Sequence, residues 1–255
     1  RILNIICNVN ADCLDKTDPL PIHPNYTKVD GMIQGKLAVY FYRRKLESGM
    51  NMELLHRILY DAPLFRLGRK VVFDECEQFR SEACKFALSL PETVSELDLS
   101  YSSVGFENSH EFAVGFGRLK NLTSFKLDLS RNALCCVEKL CEEISAFAQL
   151  RELDLSFWNT NLTSVYFLGL ALCNFMGLEY LSLNFVNCGG ISQVATLATS
   201  LGNMMNMKRL KLDFQFSSLT NESIIDLCKA VKKLGDLEEL HLHLTNISTL
   251  SGAVR

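Results

Sequence analysis

The sequence predicts an α/β repeat fold, a horseshoe-shaped solenoid with parallel strands on its concave face and helices on its convex face. Three observations predict it. Six segments sharing one apolar pattern begin at Val94, Leu122, Leu150, Leu178, Met207 and Leu237, so successive starts lie 28, 28, 28, 29 and 30 residues apart. Within each, apolar residues stand three, five and seven places after the start, the period of a strand with one buried face. In the first five segments the spacing then changes to that of a one-sided helix.

In chain order, residues 1–66 read as an N-terminal arm or cap and residues 67–255 as the repeat array. Residues 1–30, with Pro19, Pro21 and Pro24 close together, read as irregular; Leu37, Val39 and Phe41, followed by the apolar stretch from Met52 to Tyr60, read as a diverged repeat within the arm. Val71 and Phe73, with Cys76 beyond them, read as another. The six clear strands then bury Leu97, Leu99 and Tyr101; Phe125, Leu127 and Leu129; Leu153, Leu155 and Phe157; Leu181, Leu183 and Phe185; Leu210, Leu212 and Phe214; Leu240, Leu242 and Leu244. Helical quartets at i, i+3, i+4 and i+7 follow, starting at Val137, Val165, Val194 and Ile224, each 13 residues before the next strand. Length variation is thereby confined to the strand-to-helix loop. The residues before each new strand, Asn121, Gln149, Gly177, Asn206 and Asp236, are mostly types that tolerate left-handed or turn geometry. One such coil cannot cover its own apolar face, so its neighbours must.

The segments V-S-E-L-D-L-S-Y-S from Val94, L-T-S-F-K-L-D-L-S-R-N-A-L from Leu122 and L-R-E-L-D-L-S from Leu150 resemble the L-x-x-L-x-L-x-x-N/C-x-L consensus of leucine-rich repeats. With about 28 residues and a helix in each unit, the array is similar to the ribonuclease-inhibitor-like, intracellular class of that family. The resemblance implies a rigid binding face and a noncatalytic role. At the consensus Asn/Cys slot the sequence is read as Ser102, Trp158, Val186 and Gln215, which leaves no continuous ladder of buried Asn.

A chain of 255 residues with 48% hydrophobic content can bury a substantial core. Its net charge of -3, from 26 basic and 29 acidic residues, supplies no field of the kind that draws a protein onto nucleic acid. The most apolar stretch, Val165 to Cys173, is far shorter than the roughly 20 residues of a membrane span. Ten cysteines without a C-x-x-C pair read as reduced, buried thiols, and so as a reducing intracellular compartment, the cytoplasm first and an organelle second. Five N-x-S/T triplets, at Asn25, Asn121, Asn161, Asn221 and Asn246, point the other way, toward a secreted glycoprotein, although three of them coincide with repeat turns.

If the third, fifth and seventh residues of a unit point inward, the second, fourth, sixth and eighth form a grid on the opposite face. Its polar members include Asp128, Asp154, Lys211, Asp213, His241 and His243. The plain reading of this grid is a solvated sheet whose charges pair sideways. The exception is mid-array, where Trp158, the only Trp, is expected to adjoin Val186 and to lie near Tyr180. Two readings stand for Trp158: an aromatic partner contact, or a filler of the consensus slot packed inside. His241 and His243 beside Asp213 have zinc-like spacing, weighed against two ordinary surface histidines; no metal and no cofactor is assigned. Gly31, Gly35 and Lys36 fall one residue short of phosphate-loop spacing. No local Ser/His/Asp or Cys/His signature is present.

These observations predict a noncatalytic protein-binding or scaffold module within a multi-subunit complex, binding protein through the concave face or the solenoid ends, with no nucleic acid and no membrane span. Two alternatives remain open. Met52, Glu53, Leu54, Leu55, Ile58 and Leu59 resemble the core of an F-box, which implies a substrate receptor of a ubiquitin ligase. The repeat type also resembles one family of small-GTPase activators, although the acidic tail of that family is not seen.

Overall fold

The computed structural model describes residues 3–6, 37–42, 69–74, 80–81, 83–90 and 92–244. Its centre is one parallel sheet whose strands pair in chain order: β1 (Leu3–Ile6), β2 (Leu37–Tyr42), β3 (Arg69–Asp74), β4 (Glu96–Ser100), β5 (Ser124–Asp128), β6 (Glu152–Ser156), β7 (Tyr180–Asn184), β8 (Arg209–Asp213) and β9 (Glu239–His243). Helices alternate with the later strands: α1 (Ala83–Ser89), α2 (Glu138–Ile144), α3 (Tyr166–Leu172), α4 (Val194–Leu201) and α5 (Asn221–Val231). The chain therefore has the repeating parallel α/β architecture that its periodicities predict. Parallel pairing requires a crossover between neighbouring strands, and the helices provide it.

From β4 to β9 the register joins equivalent residues: Leu97 pairs with Phe125, then Leu153, Leu181, Leu210 and Leu240. The third, fifth and seventh residues of the first five units are fully buried, in one core with the inward rows of the helices. At the seventh place Phe157, Phe185 and Phe214 stack across three coils, with ring centroids 5.5 and 5.0 Å apart. Equivalent residues stack because each coil repeats the last with the same strand register. In the sixth unit Leu240 is exposed and Leu242 and Leu244 are half-buried.

The first clear unit departs from its expected helix. Between β4 and β5 the chain forms two short 3-10 turns, Ser109–Glu111 and Phe116–Arg118. Phe112, Ala113 and Phe116 nevertheless fill the inward places that Leu140, Cys141 and Ile144 fill one unit later. Gly115, at φ 108°, interrupts the helical run. The N–H groups of Gly115 and Gly117 donate to the Glu143 carboxylate of the next unit, at 3.2 and 2.8 Å. Burial opposes the charge of Glu143, but Lys139 and these amides hold its carboxyl below the usual range.

The turns correct the reading of the buried polar slot. That slot lies two residues beyond the positions read from the consensus, at Val104, Asn132, Thr160, Cys188 and Ser217. Asn132, 3% exposed, donates to the carbonyls of Tyr101 and Leu129, both at 2.8 Å, and accepts from the N–H groups of Gly105 and Phe106 at 2.8 and 3.0 Å. Thr160 and Cys188 both donate to the Phe157 carbonyl at 2.9 Å, and Ser217 donates to the Phe185 carbonyl at 2.5 Å. The coils are thus joined by the side-chain donors of Asn132, Cys188 and Ser217, which serve buried carbonyls leaving the preceding strand, whereas Thr160 serves a carbonyl of its own coil. The seventh residue extends the inward alternation beyond the strand, and this displaces the slot from the place that the shorter consensus gives it.

The left-handed turn residues are also elsewhere than expected. They are Ser103, Arg131, Asn159, Asn187 and Phe216, just after each strand, with φ between 56 and 58°. The residues before the strands act differently: the side-chain amides of Asn121 and Asn206 donate at 2.8 Å to carbonyls of the preceding unit, those of Glu92 and Met176.

Two further expectations change. β1 and β2 belong to the same sheet as the rest, so the sheet crosses the boundary drawn between residues 66 and 67, and part of the arm read as irregular is a strand. Leu3–Ile6 is too short to show an alternation. Among the described cysteines none is in a disulfide, but only Cys141 and Cys188 are buried; Cys135, Cys173 and Cys228 are exposed. An apolar residue type at a helical place need not face inward. Cys7, Cys13 and Cys76 lie outside the described residues. No helix among the described residues is long and apolar enough to cross a membrane.

Candidate functional site

The open face of the sheet, opposite the helices, carries the expected grid in register. Its second column runs Glu96, Ser124, Glu152, Tyr180, Arg209, Glu239; its fourth, Asp98, Lys126, Asp154, Ser182, Lys211, His241; its sixth, Ser100, Asp128, Ser156, Asn184, Asp213, His243. Strand pairing at ~4.8 Å puts each residue within reach of its column neighbours.

The sixth column has a structural task. Asp128, Asn184 and Asp213 accept the N–H of the residue two places on, Ser130, Val186 and Gln215, at 3.0, 3.0 and 3.1 Å, and so close the turn that leaves each strand. Asp128 also accepts from the hydroxyls of Ser100, at 3.2 Å, and Ser130. Asp154 differs from these. Burial raises its carboxyl above the ordinary range and Asp128 adds to this, while Ser182, Lys126 and Lys211 oppose it.

Tyr180 is half-buried beneath two cations. The Arg209 guanidinium carbon is 4.8 Å from its ring centroid and Lys211 Nζ is 6.0 Å away. Arg209 reaches across the ring to Glu152, two strands off, at 3.4 Å, and Lys211 meets Glu239 at 3.4 Å. His241 and His243 have ring centroids 6.4 Å apart, and each takes its own carboxylate, Glu239 at 2.7 Å and Asp213 at 2.9 Å. They do not converge on one point. Among the described residues no group of three or more His, Cys, Asp or Glu side chains is placed to hold a metal ion.

Trp158 is 40% exposed, on the turn after β6, so it does not fill the buried slot, which belongs to Thr160. The Arg131 guanidinium carbon stands 5.4 Å from its ring centroid, and the Arg131 N–H donates to the Trp158 carbonyl at 2.8 Å. Val186 is half-buried on the next turn, and its carbonyl accepts from Asn159 N–H at 2.8 Å. The turns that carry Trp158 and Val186 are therefore neighbours, and Tyr180 lies away from both. Tyr180 registers opposite Glu152, six residues before Trp158, which at ~3.3 Å per residue separates them along the strands by about 20 Å. Sequence distance between neighbouring units had hidden this, because equal exposure says nothing about position along a strand.

Phe216 was missed. It holds the left-handed place that Asn159 and Asn187 hold in the two units before, at φ 57°, with 55% of its surface exposed. An aromatic residue is strained there by about 1–2 kcal/mol. Aligning the residue after each eighth position would have found it, since Phe216 is the one bulky apolar side chain among Ser103, Arg131, Asn159 and Asn187. Trp158, Val186 and Phe216 thus occupy three successive turns on the rim where the strands end.

The F-box-like segment from Met52 to Leu59 and the glycines of the phosphate-loop-like segment lie outside the described residues, as do the triplets at Asn25 and Asn246. No family model matches the sequence, and no curated protein matches it.

Proposed function

We propose that this chain is a leucine-rich-repeat solenoid of the ribonuclease-inhibitor-like kind that serves as a noncatalytic protein-binding module within a larger assembly. Its partner sits on the open sheet face and on the adjoining rim. The exposed Trp158, flanked by Arg131, is the observation that carries this reading. Large aromatic and Arg side chains dominate protein interfaces, and an exposed Trp is a side chain that a purely solvated sheet does not need. Two further observations support it: the backbone strain at Phe216 on the same rim, and a half-buried carboxylate at Asp154 kept on the open face against its desolvation cost. Asp128, Asp213, His241 and His243, each bonded to neighbours, form a pre-ordered polar surround rather than an anchor. Tyr180 with Lys211 forms a second, separate contact region.

Affinity purification of the tagged chain with mass spectrometry tests the proposal when Trp158→Ala is run in parallel. The wild type is expected to retain a stoichiometric protein partner. Trp158→Ala is expected to weaken that partner's binding by about 30-fold, equivalent to ~2 kcal/mol, with an unchanged unfolding midpoint. A partner held equally well by Trp158→Ala, Phe216→Ala and Tyr180→Ala proteins would remove the open face and its rim from consideration. Retention of a ubiquitin-ligase adaptor would redirect the reading to the F-box alternative.

A further inference from the structure

The residues that follow the buried slot form a row across the coils, Gly105, Ala133, Asn161, Gly189 and Ser218. All but Asn161 are small. Asn161 opens the triplet Asn161-Leu162-Thr163, one of the five N-x-S/T acceptor patterns in the sequence. The chain is irregular there, between β6 and α3. Leu162 is 1% exposed and packs inward, so Asn161 and Thr163 on either side of it both face solvent. Among the described residues neither of these two side chains makes a hydrogen bond.

From this geometry we propose that Asn161 is an N-glycosylation site, carrying an oligosaccharide on its side-chain nitrogen. The donor is an oligosaccharide linked to a polyprenyl diphosphate. Asn161 Nδ2 bonds to the anomeric carbon of the first sugar while that carbon's bond to the diphosphate oxygen breaks; the diphosphate leaves with the electron pair, and one amide proton is lost. The acceptor pattern joins the amide to a hydroxyl two residues on, and the folded chain can keep so bulky a group only where the amide nitrogen is left outside. The other two described triplets lack this freedom. Asn121 Nδ2 donates to the Glu92 carbonyl at 2.8 Å and the Thr123 hydroxyl to the Ser95 carbonyl at 3.0 Å, so a sugar on Asn121 would have to enter between two coils. Asn221 is the first residue of α5, and the Ser223 hydroxyl is 3.1 Å from that of the N-cap residue Thr220.

Space and hydration agree with this assignment. On the next coil Gly189 and Gly190 are exposed, and a Cβ added at either would meet nothing within 4 Å; on the preceding coil Ala133 is exposed and small. The coils around Asn161 also lack charge. Between Ser102 and Asp154 the sequence has 14 Asp, Glu, Lys and Arg residues; in the equally long stretch from Leu155 to Met207 it has one, Glu179, and α3 and α4 have none. An oligosaccharide solubilises the surface it covers, and so supplies there the hydration that charged side chains supply elsewhere. The assignment sets the chain in a lumenal or extracellular compartment, the opposite of what the cysteines predict. That prediction took the thiols as buried, which among the described cysteines holds only for Cys141 and Cys188. A protein partner at Trp158 is compatible with either compartment, so this inference and the proposed function stand or fall separately.

The test takes the protein from the cells that make it and treats it with peptide N-glycosidase in heavy-oxygen water, which releases the sugar and converts the Asn that carried it into labelled Asp. Mass spectrometry of the peptides is expected to find labelled Asp at position 161 and ordinary Asn at Asn121 and Asn221. Expressed in the same cells, Asn161→Gln and Thr163→Ala are expected to lose the sugar, whereas Thr163→Ser, which keeps the hydroxyl, retains it. Both losing variants should keep the wild-type unfolding midpoint, because the two side chains are exposed and unbonded. Asn161 left unmodified in protein from those cells overturns the inference, and so does a sugar that persists on Asn161 in the Thr163→Ala protein.

Discussion

The units beginning at Leu122 and at Leu178 are two versions of one coil. Both bury their third, fifth and seventh residues, and both turn out of the strand through a left-handed residue, Arg131 in one and Asn187 in the other. They differ in two respects. In the buried slot the first has Asn132, which bonds to three carbonyls and two amides, whereas the second has Cys188, a weak thiol donor. On the outer helix the first carries Glu138 and Glu142, whereas the second carries Ala195 and Thr199. The backbone thus requires the inward rows, and it leaves the slot residue, apolar at Val104, and the whole outer surface open. An outer surface without charge is therefore not a requirement of the repeat; it calls for a cause outside the coil.

Replacing the slot residues gives the largest test of that contrast. Asn132→Ala strands buried backbone donors and acceptors of two coils and is expected to cost about 3 kcal/mol in urea unfolding, against about 1 kcal/mol for Cys188→Ala. Equal losses would mean that the two turns depend on the slot to the same degree, and the contrast would fail. A smaller effect is expected at the contact between the two uncharged helices. Gly169→Ala drives a methyl group into the backbone of Leu197 and should destabilise by roughly 2 kcal/mol, as overpacking against groups unable to yield does. The same change at Gly202, whose nearest neighbour at 3.3 Å is the flexible end of Lys233, should be milder.

The smallest expected effect concerns the open face and has a definite sign. Because burial raises the Asp154 carboxyl above its unfolded value, the stability linked to its neutral form is fully present below the unfolded pKa, ~3.9, and is lost as pH rises through the folded value. Asp154→Asn, which never ionises, is expected to unfold at a slightly higher midpoint than the wild type at pH 7 and at the same midpoint near pH 3. Thermal unfolding at the two pH values checks this. A variant less stable at neutral pH would show that the attraction of Lys126 and Lys211 outweighs desolvation, and that Asp154 belongs with the bonded carboxylates of its face.

Much of this molecule follows from spacing alone. A period of two with a period of 3.6 behind it, repeated every 28 to 30 residues, determines parallel strands, alternating helices, the inward rows and the register of the grid, because stacked coils have no other way to bury one apolar edge each. The tertiary structure alone decided what happens where the chain leaves the strand. There the alternation ends, and a shift of two residues exchanges Trp158 for Thr160 in the buried slot, where the Thr160 hydroxyl serves the Phe157 carbonyl together with the Cys188 thiol of the next coil. It also decided that Gly115 replaces a helix with 3-10 turns whose core side chains still fit. Each of these depends on groups about one repeat away in sequence and in direct contact in space, and no pattern read along a single unit contains them.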